Sequence, residues 1–456
     1  MKVQHATAYR QMTSALYKFN IRHEEWAAHN GVLELVGPKG SRKTTFVLDF
    51  FSEKQCFYFS CRGLEERMAR RLLGERLSQE MACAVPESWD EIFSVLNQLA
   101  ARTKVFIFDQ LESFVSDRVF CSALQGYIDD TDRRRVFLIL VHTDTVPLNL
   151  LRLNSHRIEL PYCTIASIKK TCPKRTGQEI LEIYTLSGGI PEIVNSFVEG
   201  ETIEESMARM LSEKSPFITF AEVVLSSHFL RPESYAMLLH AIVTGHNSVS
   251  ELGRFTGFPY NKCDKYLKSL MAAGLVEAVK QENESGAEKT SYQICNPYLE
   301  IWFRYVYPNR TMLAAGGFAD YFLSDALPEI RRTDVEREYI AACFQALKYR
   351  MDDQVPTSLR RVIAYKPVTV KGTAFSYTFD FAGKSKDTAV FVKIYSDENS
   401  VVGRAQLDEL ERAVNLLHPY VDSKIYLFSK RRFSDALIKE ATFGVVKLFT
   451  VDRLRF

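Results

Sequence analysis

Short apolar runs alternate with stretches of helical periodicity over the first third of the chain. The runs cover residues 31–36, 56–60, 104–109, 136–141 and 156–161, and each has the length of a strand. Two stretches between them, 64–84 and 89–101, place apolar residues at the spacing of an amphipathic helix. Strands that alternate with helices predict a mostly parallel sheet covered by helices. We therefore expect an α/β domain over residues 1–162.

The pattern becomes helical after the last of these runs. The Gly-Gly-Ile-Pro stretch at 188–191 predicts a helix stop followed by a proline-led start. Residues 233–295 then predict three helices and a β-hairpin, which together are typical of a winged helix-turn-helix. We expect a helical lid or connector over residues 163–232 and the winged helix over residues 233–310.

Alternation of helices and strands returns in the last part of the chain. The predicted helices are 334–350, 406–417 and 434–441, and the predicted strands are 360–366, 374–382, 388–395, 424–428 and 445–451. This pattern predicts a second compact α/β domain over residues 325–456. Residues 309–328 are the best candidate for a linker.

Composition narrows the class of protein. The chain has 456 residues, which suffice for two to four domains, and is 46% hydrophobic and 25% charged, as is ordinary for a soluble globular protein. The formal net charge is +2, so any contact with nucleic acid must come from a local patch. Nine cysteines without a Cys-x-x-Cys pair favour reduced thiols over a disulfide framework or a zinc site. With no apolar signal core and no run long enough to span a bilayer, we expect a cytoplasmic protein without a membrane partner.

A glycine-rich loop lies between the first apolar run and a helical stretch. Residues 37–44 read Gly-Pro-Lys-Gly-Ser-Arg-Lys-Thr, whereas the phosphate-binding pattern is Gly-x-x-x-x-Gly-Lys-Ser/Thr, so that Arg42 occupies the second glycine. Such a loop wraps backbone N–H groups around phosphates, with the lysine on the outer phosphates and the hydroxyl on Mg²⁺. The candidate phosphate ligands are Gly37, Gly40, Lys43 and Thr44. The alternative is a Gly-Pro turn before a basic helix start, and Arg42 is expected to be strained in the glycine's conformation.

A carboxylate ends the third predicted strand. Asp109 would lie at the carboxyl edge of the sheet, where it can hold the Mg²⁺ of a phosphate loop together with Thr44. Without that loop, the same pattern would be only a strand end. ATPases of this type usually follow the aspartate with a glutamate that activates water; here Gln110 can position a water but is a poor general base. At the end of the fourth run, the polar residues His142, Thr143, Asp144 and Thr145 are either γ-phosphate sensors or an ordinary polar loop.

Three lysines recur on the third predicted helix of the winged helix. Lys262, Lys265 and Lys268 are three residues apart on the helix that would enter the major groove of double-stranded DNA. Lysines at these positions are suited to phosphate contacts. The alternative is a solvated lysine face on a module that packs against protein.

Taken in order, these features resemble the archaeal-type ATPase family, AAA-related P-loop proteins with a winged helix and often a C-terminal restriction-endonuclease-like domain. The most specific stretches are 37–40, 187–192 and 292–309. In the last stretch Asn296 replaces the family's aspartate before a Pro-aromatic and Trp-Phe-Arg helix. The resemblance implies a P-loop ATPase core over residues 1–162, with ATP and Mg²⁺ as its ligands.

The resemblance also implies a nuclease-like site in the last domain. The family's motif is a strand ending in Ile-Asp, followed by Glu-x-Lys on the next strand. Asp380 and Lys393 match this motif, Phe391 replaces its glutamate, and Glu338 resembles a third motif position. We expect a degenerate site that has lost its metal, and Asp380 and Lys393 could equally form a simple ion pair.

These features together predict an ATP-binding protein with a degenerate active site and slow or absent hydrolysis. It would act as a nucleotide-dependent switch or scaffold on DNA or on a protein partner, and a homo-oligomer is also open. One alternative is a nucleotide-free DNA-binding or interaction module on a P-loop scaffold. The other is an ATP-dependent nuclease, against which Phe391 argues.

Overall fold

The computed structural model describes most of the chain. The described residues are 6–21, 32–52, 54, 56–111, 114, 117–129, 136–143, 156–282, 288–350, 368–371, 376–384, 388–396, 401–417, 422–441 and 446–451. They belong to two units, the first comprising Met1–Cys163, Ile190–Glu192 and Phe220–Cys295, and the second Thr164–Gly189, Ile193–Thr219 and Asn296–Phe456. Among the described residues, no helix is both long enough and apolar enough to cross a bilayer.

A five-stranded parallel sheet forms the centre of the first unit. Its strands are β1 (Val32–Val36), β2 (Phe57–Ser60), β3 (Val105–Asp109), β4 (Phe137–His142) and β5 (His156–Glu159). Their order in the sheet is β2-β3-β4-β1-β5. Since Ser60 pairs with Asp109 and Val36 pairs with His142, the carboxyl ends of neighbouring strands lie at one edge. The predicted parallel sheet is therefore confirmed.

Helices cover both faces of this sheet. They are α1 (Ala6–Ile21), α2 (Lys43–Phe50), α3 (Glu66–Met81), α4 (Trp89–Leu99) and α5 (Arg118–Asp129). Residues of α3, α4 and α5 pack with Phe106 and Phe108 on one face, whereas α1 and α2 pack with Ile107 on the other. The continuous apolar sequence of β3 follows from this burial on both faces.

A largely helical region follows the sheet. Its first helices are α6 (Ile165–Thr171), α7 (Gly177–Ser187), α8 (Pro191–Val194), α9 (Ile203–Met210) and α10 (Pro216–His228). Thr176 and Thr202 begin α7 and α9 with capping boxes, in which the threonine side chain and a glutamate three residues later satisfy each other's backbone N–H groups.

Three short helices and a hairpin form the end of the first unit. They are α11 (Pro232–Val243), α12 (Val249–Thr256), α13 (Tyr260–Ala272), β6 (Val276–Glu282) and β7 (Glu288–Ile294). The hairpin is antiparallel, and the Tyr292 N–H donates to the carbonyl of Asn247 at 2.8 Å, which ties the hairpin to the turn before α12. Leu252 and Leu267 are buried between these elements. These are the elements that the sequence predicted here.

The second unit continues with an aromatic helical segment. It consists of α14 (Pro297–Ile301), a π turn (Trp302–Val306), a 3-10 turn (Tyr307–Asn309), α15 (Arg310–Ala314), α16 (Phe318–Tyr321), a π turn (Phe322–Ala326), α17 (Leu327–Gln345) and a π turn (Ala346–Arg350). The expectation of a linker at 309–328 is wrong, because this stretch is mostly helical and buries Phe318 and Phe322. These rings are four residues apart and so face the same side of the chain.

A mixed sheet ends the second unit. Its elements are β8 (Val368–Lys371), β9 (Ser376–Phe379), β10 (Phe381–Lys384), β11 (Thr388–Tyr395), α18 (Arg404–Leu417), β12 (Asp422–Ser429), α19 (Asp435–Ala441) and β13 (Val446–Thr450). Strands β8 and β9 pair antiparallel, and the larger sheet has the order β10-β11-β12-β13, with only β10 antiparallel. The predicted strand 374–382 is divided at Asp380, and the predicted strand 360–366 lies outside the described residues.

Candidate nucleotide-binding site

The loop after β1 passes very close to neighbouring atoms at two glycines. A Cβ added to Gly37 would lie 2.2 Å from the carbonyl oxygen of Leu160, and one added to Gly40 would lie 2.4 Å from the Phe220 ring. Gly40 also has φ +80°, a conformation that favours glycine. The loop therefore depends on glycine at both predicted positions.

Arg42 has the backbone conformation of the glycine that it replaces. It is the residue before α2, with φ 65° and ψ 32°, in the left-handed region. For a residue with a Cβ, this conformation costs about 1–2 kcal/mol. Within the described part of the chain, its side chain has no hydrogen-bond or ion-pair partner to offset this cost.

The ammonium group of Lys43 lies inside the loop. Its Nζ donates to the carbonyl oxygens of Gly37 and Pro38 at 2.7 and 3.1 Å, and the residue is 9% exposed. Lys43 is also the first residue of α2, where the first N–H groups of a helix have no intrahelical acceptor and favour an anion. A cation and a helix N-terminus therefore meet at the loop.

Thr44 and Asp109 are 65 positions apart in the chain and in direct contact in the fold. The Thr44 hydroxyl donates to Asp109 Oδ2 at 2.6 Å, and the Tyr58 hydroxyl donates to the same oxygen at 2.7 Å. Burial, followed by this hydrogen bond to Asp109, raises the pKa of Tyr58, so that the phenol remains a donor.

The second oxygen of Asp109 is buried and has no partner among the described residues. The residue is fully buried, and Oδ1 makes no hydrogen bond within the described structure. An unsatisfied buried acceptor costs about 1–3 kcal/mol, and more if it is charged. Carboxylate oxygen is a preferred Mg²⁺ ligand, and Thr44 lies beside it. The residues present therefore fit a hydrated Mg²⁺ ion next to the loop.

The strand ends beside Asp109 place Gln110 and Thr143 at a cleft and His142 in the interior. Gln110 has φ 61°, donates its N–H to the Val141 carbonyl at 2.9 Å, and lines an open cleft of about 990 Å³ together with Thr143. His142 instead contacts the buried Glu34 at 3.1 Å through Nε2. Of the suggested phosphate sensors, Thr143 therefore lines the cleft and His142 does not, while Asp144 and Thr145 lie outside the described residues.

Three residues that shape this site were missed in the sequence. Tyr58 holds Asp109, the Tyr162 hydroxyl donates to the Lys39 carbonyl at 2.7 Å, and Phe220 packs on Gly40. Only Tyr58 carried a signal, because a tyrosine in an apolar strand usually has a partner for its hydroxyl. The partner could not be identified without the order of the strands.

The three predicted DNA-contacting lysines of α13 have different surroundings. Three residues advance a helix by 300°, so successive lysines are offset by about 60°. The Lys262 Nζ lies 3.6 Å from the Phe258 ring centroid, whereas Lys268 pairs with Asp264 at 2.8 Å, which raises the pKa of Lys268. Lys265 is exposed and has no side-chain partner among the described residues.

The predicted nuclease-like residues are only partly brought together. Lys393 Nζ lies 3.3 Å from Asp380 Oδ2, and this oxygen also accepts the Ile394 N–H at 2.7 Å. Phe391 is 2% exposed and packs in the core of this sheet. Glu338 instead lies 3.7 Å from Arg337, and burial raises its pKa.

The strand order and the glycine loop after β1 are typical of a P-loop fold of the AAA type. No protein-family model matches the chain. The chain is similar to an uncharacterised protein of Methanocaldococcus jannaschii, with 21% identity over 247 residues that cover 51% of this chain and 54% of the relative. The chain thus spans about half the length of this curated relative.

Three solved structures are similar to parts of the chain. A Walker-type ATPase of Pyrococcus abyssi has a TM-score of 0.46 at 16% identity and covers 66% of this chain and 95% of its own. The Orc1 protein of Aeropyrum pernix, in complex with DNA, has a TM-score of 0.34 at 10% identity, with coverages of 68% and 94%. DnaA from Aquifex aeolicus, bound to AMPPCP, has a TM-score of 0.32 at 13% identity, with coverages of 59% and 88%.

Proposed function

We propose that the protein binds Mg-ATP at the loop after β1 and that binding, rather than rapid hydrolysis, switches its state. The observation that supports this most directly is the Thr44–Asp109 contact of 2.6 Å beside the buried Asp109 Oδ1, which has no partner among the residues that the structure describes. A hydroxyl and a carboxylate so placed at the end of a glycine loop are suited to a magnesium-bound phosphate group.

Each loop residue has a distinct role in this proposal. Gly37 and Gly40 let the backbone approach the phosphates, and Lys43 would exchange its contacts with Gly37 and Pro38 for phosphate oxygens. Thr44 and Asp109 would hold Mg²⁺, which neutralises phosphate charge when it is bound. Arg42 opposes binding because its backbone is strained there.

Hydrolysis is proposed to be slow because Gln110 follows Asp109. A side-chain amide can orient a water molecule, but it does not take up the proton that the water must lose. Gln110 lines the cleft beside the loop, so an incoming water can reach it. Bound ATP would therefore remain unhydrolysed for a long time.

The other domains of the chain would contact the proposed partners. We assign the ATPase core to residues 1–162, a helical connector to 163–232, a winged helix to 233–310 and a degenerate nuclease-like domain to 325–456. Double-stranded DNA would contact the lysines of α13. Binding of a protein partner or of a second copy of the chain would likewise depend on whether Mg-ATP is bound. Phe391 takes the position of a metal-binding glutamate, which favours a scaffold over an ATP-dependent nuclease.

Calorimetric titration of Mg-ATP tests the proposal. Wild type should release heat of binding at micromolar to millimolar nucleotide, whereas Lys43→Ala and titration without Mg²⁺ should abolish or strongly weaken it. Lys54→Ala is the matched control, because Lys54 lies just beyond the far end of α2 and donates to the Phe50 carbonyl at 2.7 Å. No heat from wild type at millimolar nucleotide would contradict the proposal.

Thermal unfolding with and without Mg-ATP tests the alternative of a nucleotide-free interaction module. The observations that favour this alternative are the strained Arg42 and the Lys43 ammonium already bound to loop carbonyls. In that case the thermal midpoint of unfolding would not rise with Mg-ATP, because a ligand stabilises only the state that it binds.

A further inference from the structure

A cationic, aromatic cleft lies beside the candidate nucleotide site within the first unit. Its volume is about 990 Å³, and one wall is formed by Lys39 and Arg62 near the carboxyl edge of the parallel sheet. The other wall is formed by Arg231, which precedes α11, by Tyr235 of α11 and by Tyr266 of α13. No aspartate or glutamate is among the described residues that line this cleft.

The three cations of the cleft are free to bind an anion. Lys39, Arg62 and Arg231 have no ion pair or side-chain hydrogen bond within the described parts of the chain. By contrast, three arginines of α3 each pair with a glutamate four residues away. Cations that face one cleft without counter-charges raise its potential and favour a polyanion.

Aromatic rings are stacked at the same cleft. The rings of Phe229 and Tyr235 are 3.7 Å apart at an interplanar angle of 13°, and those of Tyr235 and Tyr266 are 4.5 Å apart at 22°. All three rings line the cleft and are half-buried, so part of each remains accessible. Rings held in this way provide a stacking platform for planar groups.

We propose that this cleft binds a single strand of nucleic acid. Phosphates would contact Lys39, Arg62 and Arg231. Unpaired bases would stack on the outer rings of the platform, Phe229 and Tyr266, because Tyr235 lies between them. Proteins that bind single strands combine these two features, a positively charged groove and aromatic rings. A duplex keeps its bases stacked inside and cannot use the rings in this way.

The proposal goes beyond nucleotide binding and does not require that nucleotide binds. The cations of the cleft are separate from Lys43, which lies inside the loop. Lys39 is a residue of the phosphate loop, and Gln110 follows Asp109. Because both line the cleft, a bound strand would touch the edge of the nucleotide site. Strand binding and nucleotide binding could then influence each other reciprocally.

Fluorescence anisotropy without nucleotide tests the proposal. The probes are labelled oligothymidylate and oligouridylate of about 16 nucleotides, the upper site size of a single-strand binding fold. Arg62→Ala/Arg231→Ala should lower affinity at least about ten-fold at low salt and flatten the slope of log K against log salt by about 1.4, for two lost phosphate contacts. Tyr266→Leu should lower affinity about five-fold or more with the slope unchanged.

The matched control is Arg102→Ala/Lys104→Ala. It removes the same charge from exposed positions next to the amino end of β3, the opposite edge of the sheet, and should leave affinity and slope unchanged. Equal losses in the control would overturn the proposal, as would the absence of strand binding by wild type. The proposal would also be overturned if ATP completely displaced the strand from the Lys43→Ala variant, because the cleft would then bind free nucleotide. An equal loss of affinity for a matched duplex and for the single strand in Tyr266→Leu would overturn it as well.

Discussion

The side-chain amide of Asn296 donates to the carbonyl oxygen of Gly188 at 3.0 Å, across 108 positions of the chain. Its Oδ1 accepts the N–H groups of Tyr298 and Leu299, so Asn296 also begins helix α14. Gly188 ends α7 with φ +57°, and a Cβ there would lie 2.0 Å from Asn296 Oδ1. One residue from each of two stretches that carried the family resemblance therefore meets the other in the second unit.

Replacement of Gly188 by alanine should be strongly destabilising. The matched control is Gly257→Ala, because Gly257 ends α12 with φ +72° and has open space around its Cα. The control should lose about 1 kcal/mol from the left-handed conformation alone, whereas Gly188→Ala should lose roughly 2 kcal/mol more through displacement of Asn296. Urea unfolding of both variants measures this difference, and equal losses would show that the junction tolerates a methyl group.

Arg42→Gly should relieve the strain in the phosphate loop. Glycine adopts φ 65° freely, so the variant should bind Mg-ATP more tightly, by about five- to thirty-fold if bound nucleotide fixes the loop in this conformation and 1–2 kcal/mol of strain is released. Arg42→Ala is the control, since it removes the guanidinium group and keeps a Cβ in the strained conformation. Calorimetry should show tighter binding only for glycine; the same gain for alanine would implicate the charge instead.

Gln110→Glu should raise the rate of ATP hydrolysis. A carboxylate beside Asp109 would accept the proton of the attacking water, and a positioned general base contributes about 10²–10⁴-fold. The left-handed backbone at this residue is unchanged by the substitution, because glutamate and glutamine have the same shape. Phosphate release should increase at least ten-fold, while Gln110→Ala should not exceed wild type. An unchanged rate would mean that proton transfer does not limit turnover.

The sequence predicted the parallel sheet because its strands are buried on both faces and therefore apolar throughout. It also predicted Thr44 and Asp109 as neighbours, since loop and strand both end at one edge of the sheet. The Tyr58 contact was not predictable, because it depends on β2 lying beside β3. The linker prediction at 309–328 failed because helices α15 and α16 are only five and four residues long and are separated by Gly316 and Gly317.

The lysines of α13 should contribute unequally to duplex binding. Lys265 is exposed and unpaired within the described structure, whereas Lys268 already pairs with Asp264 and Lys262 lies on Phe258. Lys265→Ala should therefore reduce the salt slope of duplex binding by about 0.9, the value for one phosphate contact. Lys268→Ala should change it less, because Asp264 competes with phosphate. No duplex binding by wild type at low salt would favour a protein partner.

The last domain should be silent as a nuclease, and Asp380 should act in its stability. One Asp380 oxygen accepts the Ile394 N–H at 2.7 Å and pairs with Lys393 at 3.3 Å, which joins the bend after β9 to β11. Asp380→Ala should cost about 1–3 kcal/mol, since a partly buried N–H loses its acceptor, whereas Asp380→Asn keeps an acceptor and should cost less. Phe391 fills the core where the family's motif has a metal-binding glutamate, so Mg²⁺ or Mn²⁺ should give no cleavage of single- or double-stranded DNA, with or without ATP. A metal-dependent nuclease run in parallel verifies the assay. Cleavage by wild type that disappears in Asp380→Asn would show that a working metal site exists there.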